Sequence, residues 1–156
     1  MTLQFYVTVT GSTQGPFKGE TLSTKLANKI PGVAFSYGVL QPASAARCEQ
    51  HPIVFTKLWG ASSPQFYEAA YTSEVLTSVL FEFFLPLSDG TESLDHTILL
   101  TNARISASRQ SVHAAQPDGP LIDTRYLHEI AFRFEKIEII SLTAHTEAHG
   151  EWQRSI

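Results

Sequence analysis

The 156-residue chain contains one cysteine and one methionine, and only 17% of its residues are charged. A lone cysteine, Cys48, excludes an intramolecular disulfide framework, so the fold needs no oxidising compartment. There is no basic excess. The 11 Lys and Arg are outnumbered by 15 Asp and Glu, which disfavours a nucleic-acid footprint. No apolar run approaches the ~20 residues of a membrane helix, because Thr77, Ser78 and Glu82 interrupt the longest, Val75 to Leu87. Motifs of catalysis are missing as well. There is no Gly-x-Ser-x-Gly elbow, and Gly15-Pro16-Phe17-Lys18-Gly19 has its lysine before the second glycine, the wrong order for a phosphate loop. What is present is a 43% hydrophobic fraction, above that of a disordered chain, with 15 Ser and 15 Thr in place of the missing charge. That composition suits a β-rich surface. The length fits one domain, 1–156, able to bury a core without staples.

Period-two patterning runs through most of the chain. Leu3, Phe5, Val7 and Val9 alternate with Gln4, Tyr6, Thr8 and Thr10, which predicts a strand at 3–10 rather than a basic and apolar export leader, with the cytoplasm as the expected compartment. Gly11 to Gly19 reads as a loop, and Leu22 to Lys29 as a short helical turn or irregular chain. Val33, Phe35, Tyr37 and Val39 form a second alternating set, 40–52 a loop, and Ile53 to Trp59 a third strand. Ser62-Ser63-Pro64 is a helix start, a hydroxyl N-cap followed by proline in the first turn, and predicts one helix at about 63–72. Val79, Phe81, Phe83 and Leu85 make the next buried face, Ser88-Asp89-Gly90 a turn, and 97–107 the returning strand. Residues 108–121 read as a polar loop. In 127–143, Ile130, Phe132 and Phe134 share one phase while Ile137 and Ile139 share the other. An odd step inside a strand pattern signals a bulge or sharp bend, here one that turns a barrel corner. The whole predicts a mainly β fold, a six- to seven-stranded β-barrel with one short flanking helix.

Candidate chemistry is sparse. In an extended segment, His145, Glu147 and His149 would face one way and could meet a metal ion; the alternative is a solvated tail. Cys48 with His51 lacks an orienting group for nucleophilic catalysis. Asp123 and Arg125 read as a surface pair, and Trp59, Phe66, Tyr67 and Tyr71 as helix-to-barrel packing rather than a ligand box. No catalytic residue, cofactor or required metal is expected.

The ordered motifs resemble the Hcp family, tube proteins of the type VI secretion system. The resemblance rests on Gly19-Glu20-Thr21, on Phe35-Ser36-Tyr37-Gly38, and on Phe55-Thr56-Lys57 followed by Ser63-Pro64 and a helix. It also rests on the bent stretch Ile130, Phe132, Phe134-Glu135-Lys136-Ile137 and Ile139. The chain departs from the family pattern in three places. No glycine run follows Gly38, Gly60 stands where an aspartate is usual, and Gly150-Glu151-Trp152 only partly matches the family's ending. The resemblance implies a homohexameric ring, rings stacked into a tube, and effector proteins carried in the lumen. It also implies sheath and spike proteins as partners, and delivery outside the cell without a signal peptide. It gives the loop 39–52 a ring-stacking role, with Leu40, Pro42, Ala43, Ser44, Ala45, Ala46 and Cys48 as candidate interface residues. The rival readings are a small barrel-type binding module and a metal-dependent enzyme using His145, Glu147 and His149.

Overall fold

A computed structural model describes residues 3–21, 26–43, 48–112 and 126–151. In chain order these form β1 (Gln4–Gly11), β2 (Gly15–Pro16), β3 (Ile30–Pro31), β4 (Ala34–Ser36), β5 (Val39–Leu40), β6 (Glu49–Gln50) and β7 (Ile53–Leu58). There follow α1 (Ser63–Thr72), β8 (Leu76–Pro86), β9 (Glu92–Val112), β10 (Tyr126–Arg133), β11 (Lys136–Ser141) and β12 (Thr146–Glu151). The ladder order is β2-β1-β8-β9-β10-β7-β4, with β11 and β12 branching from β9. Seven of these strands are at least six residues long, and α1 is the one helix of the described residues, at the predicted position.

One bent segment pairs with both β1 and β7, near opposite ends of this ladder. Ile30 pairs with Val7 of β1, and Phe35 pairs with Phe55 of β7. Between them the Gly32 N–H donates to the Phe5 carbonyl at 3.0 Å and the Val33 N–H to the Thr56 carbonyl at 2.7 Å. Residues 30–36 thus bridge β1 and β7 and give the architecture its barrel-like form. Gly32 permits the crossing, because a Cβ there would collide with the Phe5 ring. The second alternating set of the sequence, Val33 to Val39, is therefore one short strand, β4, and a separate hairpin arm, β5, since the chain changes partner inside it.

The inward phases of the strands fill the interior with Val7, Val9, Ile53, Phe55, Val79, Phe81, Leu100, Ile130 and Phe132, all fully buried. Phe55 and Phe132 stack at 5.7 Å and 5°. α1 closes one end by inserting Phe66, edge-on to Phe17 at 5.0 Å and to Phe55 at 5.9 Å. The helix ends at Ser73, whose left-handed φ of 53° lets the following Glu74 N–H turn back to the Ala69 carbonyl at 3.0 Å.

The phase shift in the sequence corresponds to a corner. β9 pairs with β11 over His96–Thr101 and with β10 over Arg104–Val112. The change of partner falls at Asn102, which has a left-handed φ of 52°. On the returning chain, Phe134 and Glu135 separate β10 from β11, and the Glu135 N–H is shared between the Thr101 and Asn102 carbonyls. Phe134 and Ile137 both remain buried, so the odd step keeps apolar side chains inside while the strand bends.

Four expectations are corrected. Residues 108–112 belong to β9 rather than to a loop; the remainder of that loop, together with Asp123 and Arg125, lies outside the described residues. Residues 146–151 form β12, paired with β11, instead of a solvated tail. The loop 40–52 begins and ends in the β5–β6 ladder. Ser62 occupies the N-cap position but makes no side-chain capping bond, because its hydroxyl is engaged elsewhere. The expected turn at Leu22–Lys29 is described only from Leu26, whose carbonyl accepts the Lys29 N–H at 3.0 Å.

Replacing Phe55 by Ala should lower the unfolding free energy by about 3–5 kcal/mol, the cost of a large buried cavity. Urea denaturation checks this, and a loss below about 1 kcal/mol would mean that the stacked rings are not the centre of the core.

Candidate assembly surface and the buried network behind it

The candidate stacking residues lie on the β5–β6 hairpin. Val39 pairs with Gln50 and Leu40 with Glu49, and the His51 N–H donates to the Gly38 carbonyl at 3.1 Å. Among the described residues the two arms share these two pairs and form a small sheet separate from the main one. Val39 and Leu40 are 52% and 51% exposed, and Ala43 and Cys48 are also exposed, while Pro42 is half-buried. Ser44, Ala45 and Ala46 lie outside the described residues. The hairpin's base is tied to the barrel by the Gln50 amide, which donates to the Glu151 carbonyl of β12 at 2.7 Å. Cys48 and His51 are both exposed, and no hydrogen bond joins them among the described residues.

The proposed metal triad is not assembled. His145 sits in the turn before β12 with a left-handed φ of 54°, which breaks the extended geometry the alignment of three side chains required. His149 instead stands between Glu147 and Glu138, 3.7 Å from each carboxylate. These distances are too long for hydrogen bonds. The described residues hold no group of three or more His, Cys, Asp or Glu side chains able to bind a metal ion.

The most elaborate chemistry in the molecule is buried under α1. Lys57 is fully buried, on the inward phase of β7 that also carries Ile53 and Phe55. An ammonium has three N–H donors, and Lys57 places all three: on Glu20 Oε1 at 2.8 Å, on the Leu58 carbonyl at 2.9 Å and on Ser63 Oγ at 2.9 Å. Burial pulls the Lys57 pKa down, and the Glu20 carboxylate beside it pulls it back up. Glu20 Oε1 also accepts from the Ser62 N–H at 2.9 Å and the Ser62 hydroxyl at 2.6 Å. A carboxylate thus sits at the start of α1, where the helix dipole favours it.

Ser63 passes the network on to β10. Its oxygen accepts from Lys57 and from the Gly60 N–H at 3.1 Å, so its own proton goes to His128 Nδ1 at 3.2 Å. That leaves His128 Nε2 as the donor to Ser108 Oγ at 2.7 Å. Tyr67 lies flat on the His128 ring, at 5.0 Å and 1°, with Trp59 at 5.7 Å. Burial, with the Lys57 charge second, lowers the His128 pKa to about 4. A serine next to a histidine has the outline of a nucleophile and base, but Ser63 and His128 are both fully buried, out of reach of a substrate. The aromatic group does pack the helix to the barrel through Phe66, Tyr67 and Trp59, whereas Tyr71 is 81% exposed.

Gly60 now has a physical reason. A Cβ at this position would lie 2.6 Å from the Glu20 carboxylate, so an aspartate would meet that group and repel it.

A mainly β, barrel-like fold with one helix over its end and a separate two-stranded hairpin is the structural class. A family model described as "Type VI secretion system effector, Hcp" matches residues 6–140, and the chain belongs to this family of type VI secretion effector and tube proteins. The Major exported protein of Pseudomonas aeruginosa is 24% identical, over 97% of this chain and 96% of that protein. Among solved structures, an Hcp protein superposes with a TM-score of 0.90 at 20% identity, covering 99% of this chain and all of that one. The secreted protein Hcp3 of Pseudomonas aeruginosa gives 0.82 at 20% identity, covering 98% and 100%. At such identities the superpositions establish the fold alone. No helix among the described residues is long and apolar enough to cross a membrane.

The buried histidine gives the fold a pH signature. His128 takes a proton near 6.5 when unfolded but only near about 4 when folded. The unfolded chain binds more protons between these values. Stability is therefore complete above pH 6.5 and falls as pH drops toward 4, by about 3 kcal/mol in total. Urea midpoints measured from pH 7.5 to 5 should show this slope in the native chain and a weaker one in His128→Gln. Equal slopes would contradict the assignment.

Proposed function

We propose that the chain, as one domain over residues 1–156, is the subunit of the inner tube of a type VI secretion system. Six copies close a ring, rings stack into a tube, and effector proteins travel in the lumen. Sheath and spike proteins of the same machine are its other partners. Export proceeds through the machine. The observation that carries this reading is the family match over residues 6–140. Its support in the geometry is the β5–β6 hairpin, which holds Val39 and Leu40 away from the core with their apolar surface open to water. Exposed apolar side chains gain from burial against a second ring. A head-to-tail contact that closes on itself yields a ring, and the same subunit can add axial contacts.

Negative-stain microscopy and native mass measurement of the purified chain test the proposal. Rings with a central hole and six chain masses are expected, and a persistent monomer at high concentration would overturn it. Deleting residues 43–48 should leave the rings intact and shorten the stacks. Unchanged tubes would remove the stacking role of the loop, and loss of rings would move it to the lateral contact.

A further inference from the structure

At the corner where β9 changes partner, a cavity of about 320 Å³ is lined by Arg104, Ser106, Arg133, Ser73 and Glu135. Arg104 and Arg133 are direct cross-strand partners, so their side chains leave the same face of the β9–β10 ribbon. Like charges placed opposite one another destabilise a sheet. Neither arginine makes an ion pair or a hydrogen bond among the described residues. Glu135 does not relieve them by pairing, because Asn102 Nδ2 holds its carboxylate at 2.9 Å. The carboxyl end of α1, which brings Ser73 to the rim, offsets a part of the charge. Two guanidinium groups against one carboxylate still leave the cavity positive, in a chain whose net charge is −4.

We infer that this cavity is a binding site for one oxyanionic group, held between the Arg104 and Arg133 guanidinium forks. Planar forks match carboxylate and phosphate oxygens in a bidentate manner, which a single ammonium does not. The serine hydroxyls at the rim add neutral donors of the same use. An anion seated there removes the repulsion built into the ribbon, so binding and sheet stability are linked. The group has two sources of the same chemistry: a small free anion, or the side-chain carboxylate of another copy of this chain. The second source rests on the self-assembly proposed above.

The test uses the full chain, the double variant Arg104→Gln/Arg133→Gln, and Arg109→Gln as a control. Arg109 lies on the same ribbon but opposite Glu129, so its removal changes charge without touching the cavity. Inorganic phosphate is titrated at constant ionic strength while thermal unfolding is followed, and self-association is measured by sedimentation velocity. At ten times its Kd, phosphate should raise the midpoint of the native chain and of the control by about 3–6 °C, and leave the double variant unmoved. That result identifies a free-anion site. No phosphate effect, with self-association lost in the double variant and kept in the control, identifies a carboxylate from a second copy. Equal phosphate shifts in all three proteins, or no shift together with unchanged association in the double variant, would overturn the site. If the native chain does not associate at all, the proposed tube fails, and the phosphate titration alone still decides the site.

Discussion

The arrangement under α1 depends on one buried ammonium. Removing a charge from water costs several kcal/mol, and Lys57 is tolerable only because Glu20, the Leu58 carbonyl and Ser63 take its three protons. Each partner belongs to a different stretch of chain. Glu20 fixes the segment after β2, Leu58 the end of β7, and Ser63 the start of α1. Through Ser63 the network reaches His128 on β10 and Ser108 on β9. One cation therefore gathers five stretches that apolar packing alone would bring together only approximately. Such a network contributes directional registry more than raw stability, since a well-packed apolar group could match its energy.

This registry bears on assembly. The proposed assembly requires a subunit to present its surfaces in a constant relation, and the helix, the strand ends and the corner are held as one frame. The corner at Asn102 divides β9 between two partners and sets the direction of β11 and β12. The β12 edge then holds the base of the β5–β6 hairpin through Gln50. The exposed Val39 and Leu40 are thereby connected back to the barrel through the hydrogen bonds of their hairpin.

Much of this is legible in the sequence. Alternation marked β1, β7 and β8, proline after two serines marked α1, and the slip between Phe134 and Ile137 marked the corner. The network could also have been read. Lys57 falls on the inward phase with Ile53 and Phe55, and His128 on that of Ile130 and Phe132, so two polar side chains were pointed into an apolar interior. Glu20, Lys57 and Ser63 stand in the sequence only as separate landmarks of a resemblance, because nothing local indicates that three distant segments meet. The end of β9 at 108–112 is not legible because Arg109, Gln110 and Val112 are exposed there, and the apolar alternation fades. β12 was missed because it is an edge strand whose side chains are nearly all exposed, so its polarity imitates a tail. The His145 alignment failed on a left-handed turn that spacing does not reveal.

The most direct measurement is a double-mutant cycle on the pair at the centre of the network, using Glu20→Gln, Lys57→Met and their combination, followed by urea unfolding. Either single change leaves a buried charge or polar group without its partner, while the double change removes both. The account predicts a coupling energy of at least about 1.5 kcal/mol, with the double variant more stable than the sum of the single losses allows. Additive losses would show that Lys57 and Glu20 stabilise the fold independently, and would contradict the claim that one buried cation holds these segments together.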